Sequence, residues 1–572
     1  MKLISVELTG SYKGLHDSVF DFSESNSFLL AFIGLNGCGK SQLLELVAES
    51  FAFIERCQRR EFRIRKPLGF DVAIVYQLSR PTNHSAGSAN MVAGSRMAVA
   101  GGIHNPKFKV NIKTDGDVKC YIDTNETWQN IGIGELTLPD YIVGYSSGLN
   151  ENLQRAFLKN AVQYFDVMNT KLKWRKELSG ELNDTQMVEV NEKYLTRYPH
   201  IFDAPTGEAL EQDGLISLRE RPVSLSQLVY LDYDSAGLVV ASLAMLDRAF
   251  RQQVFGQLRF KHPSRLVIEY DLRRDLGEEE SIRDIKVLIR IAGRDNFVGI
   301  GKQTTDTQFN LYELDYLHGK ITFDFNDVET LSRLKEENYS DPAIFFARLY
   351  KLQQLGAKNW RGVDRTALRR DDFLGTVKKP LKSKLPLTIR LMELADDAGE
   401  FANYDDLSDG EAQLLQTLAC LKVFSQDPSN QRQALFLFDE PETHYNPAWR
   451  TYFHKHIKQC LGGDISRTKL LMTSHSPFMV SSLKQENVYF FERDAQFKVH
   501  MKPSCEQTYG ASFDVLIKQF FGLRSLISQT VVDEIRRQLE QGDAHALEWI
   551  RENLGSSPEK AYLLRKLRYY VV

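Results

Sequence analysis

Eight residues near the start of the chain have the types and spacing needed to bind a polyphosphate. The segment Gly34–Ser41, with sequence GLNGCGKS, matches the pattern G-x-x-x-x-G-K-S and lies between a strand-like and a helix-like segment. Glycines let backbone N–H groups turn towards phosphate oxygens, and the N-terminus of the following helix adds its positive dipole end. In this pattern Lys40 reaches the β- and γ-phosphates, and the Ser41 hydroxyl binds Mg²⁺. The sequence therefore predicts a site for ATP and Mg²⁺ lined by Asn36, Gly37, Cys38, Gly39, Lys40 and Ser41.

Two carboxylates follow an apolar segment far downstream. Ala434–Phe438 is apolar and strand-length, and Asp439 and Glu440 come directly after it. This is the Walker B pattern, in which Asp439 holds Mg²⁺ through water or Ser41, and Glu440 orients and deprotonates the attacking water. Alone, the segment also fits a buried strand that ends in an acidic turn. Together with the phosphate loop, it indicates ATP hydrolysis.

A third motif precedes these carboxylates by about thirty residues. Leu407–Glu411 has the sequence LSDGE and is followed by the helical stretch Ala412–Val423. The Ser408 side chain, the Gly410 amide and the helix N-terminus are suited to binding a γ-phosphate. Ser408 and Glu411 also have the spacing of a capping box, and the two interpretations are compatible.

Two further segments follow in the order that such a site needs. Pro441–Pro447 comes directly after Walker B, in the place of a D-loop, and Leu470–His475 is an apolar stretch that ends in Thr-Ser-His. A single histidine is more often structural. Its position after a buried strand, at this distance from Walker B, favours contact of His475 with the γ-phosphate or the water.

The motifs in this order resemble the ABC-type ATPase heads of the RecF, SMC and OLD group. The resemblance implies an α/β head, a mixed sheet with helices, that is split by insertions. Such heads form a homodimer, or a higher even-numbered oligomer, in which the phosphate loop of one subunit faces the signature of the other. Two features depart from the pattern of this group. A D-loop often has Asp or His where this chain has Asn446, and no Q-loop glutamine can be clearly assigned. Gln77 and the segment Tyr145–Glu151 are both candidates for the joint that senses nucleotide in place of the Q-loop, and the second is favoured.

A narrower resemblance rests on Tyr145–Glu151, YSSGLNE, and Thr508–Ser512, TYGAS. With the early phosphate loop and LSDGE, these look like the PtuA-type ATPases of Septu and retron anti-phage systems, although both segments also fit ordinary turns. That family implies a bacterial defence ATPase with an HNH nuclease partner and, in the retron branch, a reverse transcriptase bearing RNA–DNA. The alternatives are a RecF-like ATPase of DNA repair or recombination and a self-sufficient nuclease. The absence of a D-x-D cluster after His475 disfavours the nuclease.

The remainder of the chain is predicted to form four parts. Residues 1–150 are ATPase lobe I with the phosphate loop, and 151–380 are an insertion, mainly helical with some strands. Residues 381–500 are lobe II with the signature, Walker B and the switch histidine, and 501–572 are a helical tail. No sustained heptad pattern predicts a long coiled coil. Strands are predicted at Arg265–Tyr270, Asp284–Ile291 and Leu387–Leu394, a last core strand at Val488–Glu492, helices at Gln529–Leu554 and Pro558–Tyr569, and an exposed loop at Ser79–Ala100.

Composition narrows the class of protein further. The 572 residues carry a net charge of −3, and their six cysteines are scattered, which favours reduced thiols in the cytoplasm. No apolar run approaches the ~18 residues of a membrane span, so no membrane partner is expected. Direct nucleic-acid contact is possible only through local basic groups, which equally fit solvated helix faces. These groups are Arg56, Arg59, Arg60, Arg63, Arg65 and Lys66, and Arg361, Arg365, Arg369 and Arg370.

Overall fold

The computed structural model describes residues 1–79, 105–124, 126–147, 151–180, 182–205, 218–272, 279–300, 317–378, 385–425, 428–429, 431–462, 465–522 and 527–571. The predicted loop at Ser79–Ala100 lies outside these residues except for Ser79.

The strands, in chain order, are β1 (Lys2–Tyr12), β2 (Leu15–Asp21), β3 (Leu29–Gly34), β4 (Asp71–Gln77), β5 (Lys107–Ile112), β6 (Val118–Thr124), β7 (Thr127–Ile131), β8 (Tyr141–Ser146), β9 (Phe202–Asp203), β10 (Arg219–Glu220), β11 (Leu228–Leu231), β12 (His262–Asp271), β13 (Phe297–Gly299), β14 (His318–Asp324), β15 (Leu387–Ala395), β16 (Phe401–Asn403), β17 (Ala434–Asp439), β18 (Thr468–Thr473), β19 (Val488–Arg493) and β20 (Val499–Pro503). The helices are α1 (Lys40–Gln58), α2 (Glu151–Leu178), α3 (Asp184–Arg197), α4 (Tyr233–Ser242), α5 (Arg248–Val254), α6 (Glu279–Ala292), α7 (Val328–Glu337), α8 (Pro342–Gln354), α9 (Gly362–Leu368), α10 (Asp409–Ser425), α11 (Pro447–Leu461), α12 (Pro477–Val480), α13 (Phe513–Phe521), α14 (Gln529–Glu540), α15 (Asp543–Asn553) and α16 (Pro558–Val571).

A seven-stranded sheet forms the centre of the molecule, in the order β11-β8-β17-β18-β3-β19-β20. Its strands from β11 to β19 are parallel, and β20 pairs antiparallel with β19. Every residue of β3, β17 and β18 is buried, as expected for parallel strands covered on both faces. The carboxyl ends of β17, β18 and β3 therefore meet at one edge of the sheet. The strand predicted at Val488–Glu492 is confirmed as β19, but it is not the last strand of the sheet, because β20 pairs with it.

A second sheet, antiparallel in the order β2-β1-β4-β5-β6-β7, covers α1. Its alternating buried side chains share one apolar core with α1 and with one face of the central sheet. The core places the helix that follows the phosphate loop between two sheets. Burial on both sides fixes the axis of α1, and hence the direction in which its N-terminus points.

A third, five-stranded sheet has the order β13-β14-β12-β15-β16. The strands predicted at Arg265–Tyr270 and Leu387–Leu394 are confirmed as β12 and β15. The strand predicted at Asp284–Ile291 is wrong, because this stretch is part of α6. Its many β-branched residues favoured a strand, but the exposed residues recur at the three- and four-residue spacing of a helix face, at Arg283, Lys286 and Arg290.

A buried network of charges joins α1 to α2. The Glu49 carboxylate accepts hydrogen bonds from Arg155 Nε at 2.8 Å and from Lys159 Nζ at 3.0 Å. Arg56, also on α1, donates to the Asp371 carboxylate at 2.7 Å, and Lys159 donates to the Asp371 backbone oxygen at 2.8 Å. Burial alone would raise the pKa of Glu49, but Lys159 and Arg155 outweigh it and hold that pKa below its usual value. Removal of one partner from such a network costs about 3–5 kcal/mol, because it leaves a buried charge uncompensated.

The chain after β20 is helical, with α14, α15 and α16 packed round a small apolar core of their own. The single helix predicted at Gln529–Leu554 is two helices, because Gly542 has φ 112° between α14 and α15. The helix predicted at Pro558–Tyr569 is confirmed as α16. In the described ranges, no helix is both long and apolar enough to cross a membrane.

Candidate nucleotide-binding site

The phosphate loop connects β3 to α1 through glycines that adopt left-handed backbone conformations. Gly34 has φ 144°, and a Cβ there would lie 2.2 Å from the Phe491 backbone oxygen. Gly39 has φ 100° and directly precedes the first residue of α1. Both conformations are costly for residues with a side chain. The glycines thus allow the sharp reversal that exposes backbone N–H groups at the helix N-terminus.

Lys40 lies inside this loop and is 5% exposed. Its ammonium group donates to the backbone oxygens of Gly34 at 3.0 Å and Leu35 at 2.9 Å, and lies 3.6 Å from Cys38 Sγ. Burial lowers the pKa of Lys40, while Cys38, Glu440 and Asp439 act in the opposite direction. The ammonium group is therefore held within the loop at the point where phosphates would gather.

Hard oxygen ligands meet at the carboxyl ends of three neighbouring strands. The Ser41 hydroxyl donates to Asp439 Oδ1 at 2.7 Å, and the Thr473 hydroxyl donates to the same oxygen at 2.7 Å. Ser41 and Asp439 are separated by 398 residues in the sequence. Hydroxyl and carboxylate oxygens are the ligands that Mg²⁺ prefers, so this donor set fits the predicted ion. Sequence reasoning included Thr473 in the switch motif but gave it no role.

Glu440 and His475 face each other beside this group. The distance from His475 Nε2 to Glu440 Oε1 is 3.5 Å, and Glu440 has a left-handed φ of 50°. Burial and the neighbouring Asp439 raise the pKa of Glu440. Burial and Lys40 lower the pKa of His475 to about 4, so its ring is neutral at pH 7. The structure thus brings together one carboxylate able to accept a proton and one neutral imidazole.

The signature Leu407–Glu411 lies at the N-terminus of α10 and is not in contact with these groups through any described hydrogen bond. Ser408 is exposed, and its hydroxyl donates to Glu411 Oε2 at 2.7 Å, while Glu411 Oε2 also accepts from the Ser408 backbone N–H at 3.1 Å. A Cβ on Gly410 would lie 2.8 Å from the His444 backbone oxygen. The signature glycine therefore permits close packing against the loop that follows Walker B.

Of the two candidate joints, the one at Tyr145–Glu151 contacts Walker B. The Ser147 backbone N–H donates to the Asp439 backbone oxygen at 3.0 Å, and the Ser147 hydroxyl donates to Thr443 Oγ1 at 2.6 Å. Residues 148–150 of this segment lie outside the described residues. Gln77 instead donates from its side chain to the Asn105 backbone oxygen at 2.9 Å, within the antiparallel sheet.

Gln413, which sequence reasoning missed, connects this joint to the signature helix. Its amide nitrogen donates to the Tyr145 hydroxyl at 3.1 Å, and its amide oxygen accepts from the His444 backbone N–H at 2.9 Å. Asn446, at the unusual D-loop position, caps α11 by accepting from the Trp449 backbone N–H at 2.9 Å. A helix N-cap explains an asparagine at this position.

Glu442 is a second residue that the motifs did not single out. It is fully buried, and its Oε1 accepts a 2.5 Å hydrogen bond from the Ser474 hydroxyl. The same hydroxyl accepts from the Ser476 backbone N–H at 3.0 Å, so the two bonds hold the loop that carries His475. Glu442 Oε2 has no hydrogen-bond partner among the described residues. Burial raises the pKa of Glu442 to about 7, which favours the protonated acid below that pH.

We expect Glu442→Gln to change how stability depends on pH. The unfolded chain loses this proton near pH 4.5, whereas the folded chain keeps it to about pH 7. Between these values the folded state binds more protons, so the stability of the parent falls as pH rises, by about 3 kcal/mol in total. The amide has no proton to lose. The difference in melting temperature, variant minus parent, should therefore become more positive as the pH is raised from 5 to 8. The exposed Glu486→Gln is the matched control, and a difference independent of pH would contradict the assignment.

The basic groups differ in their availability to nucleic acid. Arg56 belongs to the buried network, and Arg59 pairs with Glu55 and Glu61. In the second group, carboxylates pair with Arg361, Arg369 and Arg370, and Arg365 lies over the Phe165 ring. The exposed members of the first group are Arg60, Arg63, Arg65 and Lys66.

A comparison with family models matched residues 210–481 to the family described as "AAA domain, putative AbiEii toxin, Type IV TA system". The matched segment contains the signature, the Walker B strand and His475. The match, taken with the strand order and the groups gathered round Asp439, defines the class of protein. The chain is an ATP-hydrolysing enzyme with a mixed α/β fold, and its segment 210–481 is similar to the AAA domain of that family.

A comparison with solved structures found similarity at low sequence identity and low TM-score. The SMC head domain with an extended coiled coil, bound to the C-terminal domain of ScpA, from Pyrococcus furiosus is 13% identical, with a TM-score of 0.30, over 92% of this chain and 100% of that chain. The SMC head domain from Thermotoga maritima is 11% identical, with a TM-score of 0.28, over 88% and 99%. The recombination mediator RecF with ATP is 11% identical, with a TM-score of 0.30, over 83% and 92%. No curated protein matched the chain.

Proposed function

We propose that two copies of the chain, or a higher even number, enclose two ATP molecules head to tail. The observation that carries this proposal is the position of the signature. Ser408 is exposed, and in the described part of the chain the hydrogen bonds of its hydroxyl stay within its own capping box. A serine hydroxyl and a helix N-terminus turned to solvent are suited to a phosphate supplied by another subunit. The phosphate loop of one copy would then face the signature of its partner.

Within each composite site, we assign roles to the residues that the structure brings together. Lys40 and the loop amides of Asn36, Gly37, Cys38 and Gly39 bind phosphate oxygens, and Ser41 and Asp439 hold Mg²⁺. When bound, the ion neutralises charge on the β- and γ-phosphates.

Hydrolysis follows from the position of Glu440. Water attacks the γ-phosphorus in line while the Glu440 carboxylate accepts its proton, and the bond from phosphorus to the β–γ bridging oxygen breaks to release ADP. Neutral His475 is suited to donate a hydrogen bond to the γ-phosphate or to accept one from the water. The contacts of Ser147 with Asp439 and Thr443 support the segment at Tyr145–Glu151, rather than Gln77, as the joint that senses nucleotide.

The biological role that we propose is regulation of a separate effector in bacterial anti-phage defence. The matched family is described by a toxin and a toxin–antitoxin system, which supports a role in controlling a toxic activity. The resemblance to PtuA-type ATPases supplies the partner class, an HNH nuclease. In the retron form of the proposal, a reverse transcriptase with its RNA–DNA is a further partner.

The exposed basic residues support the alternative, a RecF-like ATPase that acts on DNA in repair or recombination. Burial lowers the pKa of His200, and the nearby positive charges of Arg63 and Arg65 contribute to lowering it to about 4. Such a local positive potential suits a phosphate backbone. Neighbouring genes discriminate between the two roles, because an HNH nuclease and reverse transcriptase accompany the first and replication or repair genes the second.

We expect the purified chain alone not to cut DNA or RNA. Most nucleases hold metal with grouped carboxylates or with histidines paired to them, and the evident pair here, Asp439 and Glu440, is assigned to ATP. The assay incubates plasmid, single-stranded DNA and tRNA with the protein, ATP, and Mg²⁺ or Mn²⁺. Addition of the HNH partner should make cleavage appear and make it depend on ATP. Cleavage by the stringently purified chain that disappears in a tail variant such as Asp533→Asn would restore the nuclease hypothesis.

A further inference from the structure

The turn between β19 and β20 carries an exposed aromatic residue in an unusual backbone conformation. Phe497 is 70% exposed and has φ 62°. A left-handed φ is rare and unfavourable for a bulky side chain, so it persists where the surrounding structure enforces it. Exposure of a phenyl ring adds a second cost, because the ring remains in water. Neither feature serves the apolar core.

Hydrogen bonds hold this turn in one shape. The Asp494 carboxylate accepts from the backbone N–H groups of Gln496 at 3.0 Å and Lys498 at 2.8 Å, and it lies 2.7 Å from His500 Nε2. The Phe497 backbone N–H donates to the Asp494 backbone oxygen at 3.0 Å. The ring is therefore presented on a preorganised support, which lowers the entropy cost of binding to it.

Arg493 ties the turn to the phosphate loop. Its Nε donates to the Gly37 backbone oxygen at 3.0 Å, and its Nη1 donates to the Phe497 backbone oxygen at 2.9 Å. A Cβ on Gly14 would lie 3.1 Å from Arg493 Nη2 and 2.9 Å from the Gln42 amide group. The turn, the phosphate loop and the β1–β2 connection thus converge on one side of the α1 N-terminus.

The strand order of the central sheet indicates which end of a bound nucleotide lies nearest the turn between β19 and β20. Asp439 and Thr473 lie at the ends of β17 and β18, on one side of β3, whereas β19 lies on the other side. A triphosphate that lies across the loop with its γ-phosphate near Asp439 must direct its nucleoside end towards β19. Phe497 lies on the turn between β19 and β20, which is on that side of the phosphate loop.

We infer that Phe497, on the turn that Arg493 fastens to the phosphate loop, is a stacking platform for the base of the bound nucleotide. An aromatic ring stacks on the π-face of any base, and replacement of the ring by alanine removes this contact. The inference rests on the proposed nucleotide site and adds a residue that recognises the nucleoside rather than the phosphates.

The test separates the base from the phosphates by calorimetric titration of the full chain, in Mg²⁺, with ATP and with tripolyphosphate. Phe497→Ala should weaken ATP binding about tenfold and leave tripolyphosphate binding unchanged. Phe497→Trp, which keeps a stacking surface, should bind ATP as tightly as the parent or more tightly. In steady-state hydrolysis, Phe497→Ala should raise KM and leave kcat unchanged, because the contact is equally present before and during reaction.

Tyr339→Ala is the matched control, since Tyr339 is also aromatic, 63% exposed and left-handed with φ 52°. It should change neither titration. Lys40→Ala should weaken both ligands and so tests the phosphate site on its own. Normal ATP binding by Phe497→Ala, while Lys40→Ala loses both ligands, would overturn the inference and leave the proposed function intact. Equal loss of both ligands in Phe497→Ala would also overturn it, because the turn would then only support the loop.

Discussion

Glu440→Gln should bind ATP with the affinity of the parent and hydrolyse it more slowly by a factor of roughly 100 to 10,000. The glutamine amide keeps the size and much of the hydrogen-bonding capacity of the carboxylate, but it cannot accept a proton from the attacking water. His475 lies 3.5 Å from the carboxylate, but its pKa is lowered to about 4, so its ring is too weak a base to take over the role of Glu440. ATP should therefore stay bound, and the closed dimer should accumulate.

Two measurements on the same preparation check this prediction. Nucleotide titration gives the affinity, and phosphate release under single-turnover conditions gives the rate of the chemical step. Glu486→Gln, an exposed substitution of the same type, should leave both unchanged. A Glu440→Gln chain that releases phosphate at the rate of the parent would remove Glu440 from the role of base.

Ser408→Arg should reduce turnover on the order of 100-fold or more while each isolated subunit keeps its affinity for ATP. Ser408 is exposed at the N-terminus of α10, so an arginine there disturbs little within its own chain. Across the dimer it would place a bulky side chain where the γ-phosphate of the partner must be bound, and removal of one such donor typically costs 100- to 1,000-fold. Loss of the helix cap costs only about 1 kcal/mol.

Ser528→Arg is the matched control, because Ser528 is also an exposed N-cap serine, at α14. It should turn over normally. Differently tagged Ser408→Arg and Lys40→Ala chains, purified as mixed dimers, should regain activity, since one composite site is then intact. Mixed dimers of the parent with Lys40→Ala also contain one intact site and set the level to expect. Activity in these parent dimers, without activity in the Ser408→Arg and Lys40→Ala dimers, would contradict the arrangement in trans.

The sequence was most informative where chemistry demands a residue at the end of a buried strand. Ser41 and Asp439 could be paired although 398 residues separate them, because both motifs are defined by a strand and the side chain that follows it. The carboxyl ends of parallel strands then meet without further information. Glu440 and His475 likewise each follow a buried strand, and the structure places His475 Nε2 3.5 Å from Glu440 Oε1.

The sequence was least informative where a residue acts through tertiary contacts. Nothing in the local pattern of Glu442 indicates that its carboxyl group is buried against Ser474, and nothing in Phe497 indicates that β20 returns it to the phosphate loop. The stretch Asp284–Ile291 failed for a different reason. Its β-branched residues prefer strands, whereas burial against the neighbouring sheet favoured the helical period. Tertiary packing overrode local preference.

The network of charges between α1 and α2 also constrains the order in which the newly made chain folds. Glu49 and Arg56 are synthesised early, but their partners Arg155 and Lys159 follow 106 and 110 residues later, and Asp371 follows Arg56 by 315 residues. β3 likewise cannot pair until β18 and β19 have been synthesised, because these two neighbouring strands come from near the other end of the chain. Contacts of such long sequence separation slow folding and leave apolar edges exposed on the ribosome. The nascent phosphate loop thus stays without its catalytic neighbours until the second half has emerged, and we expect a chain that stops before β17, and so lacks Asp439 and Glu440, to have no ATPase activity.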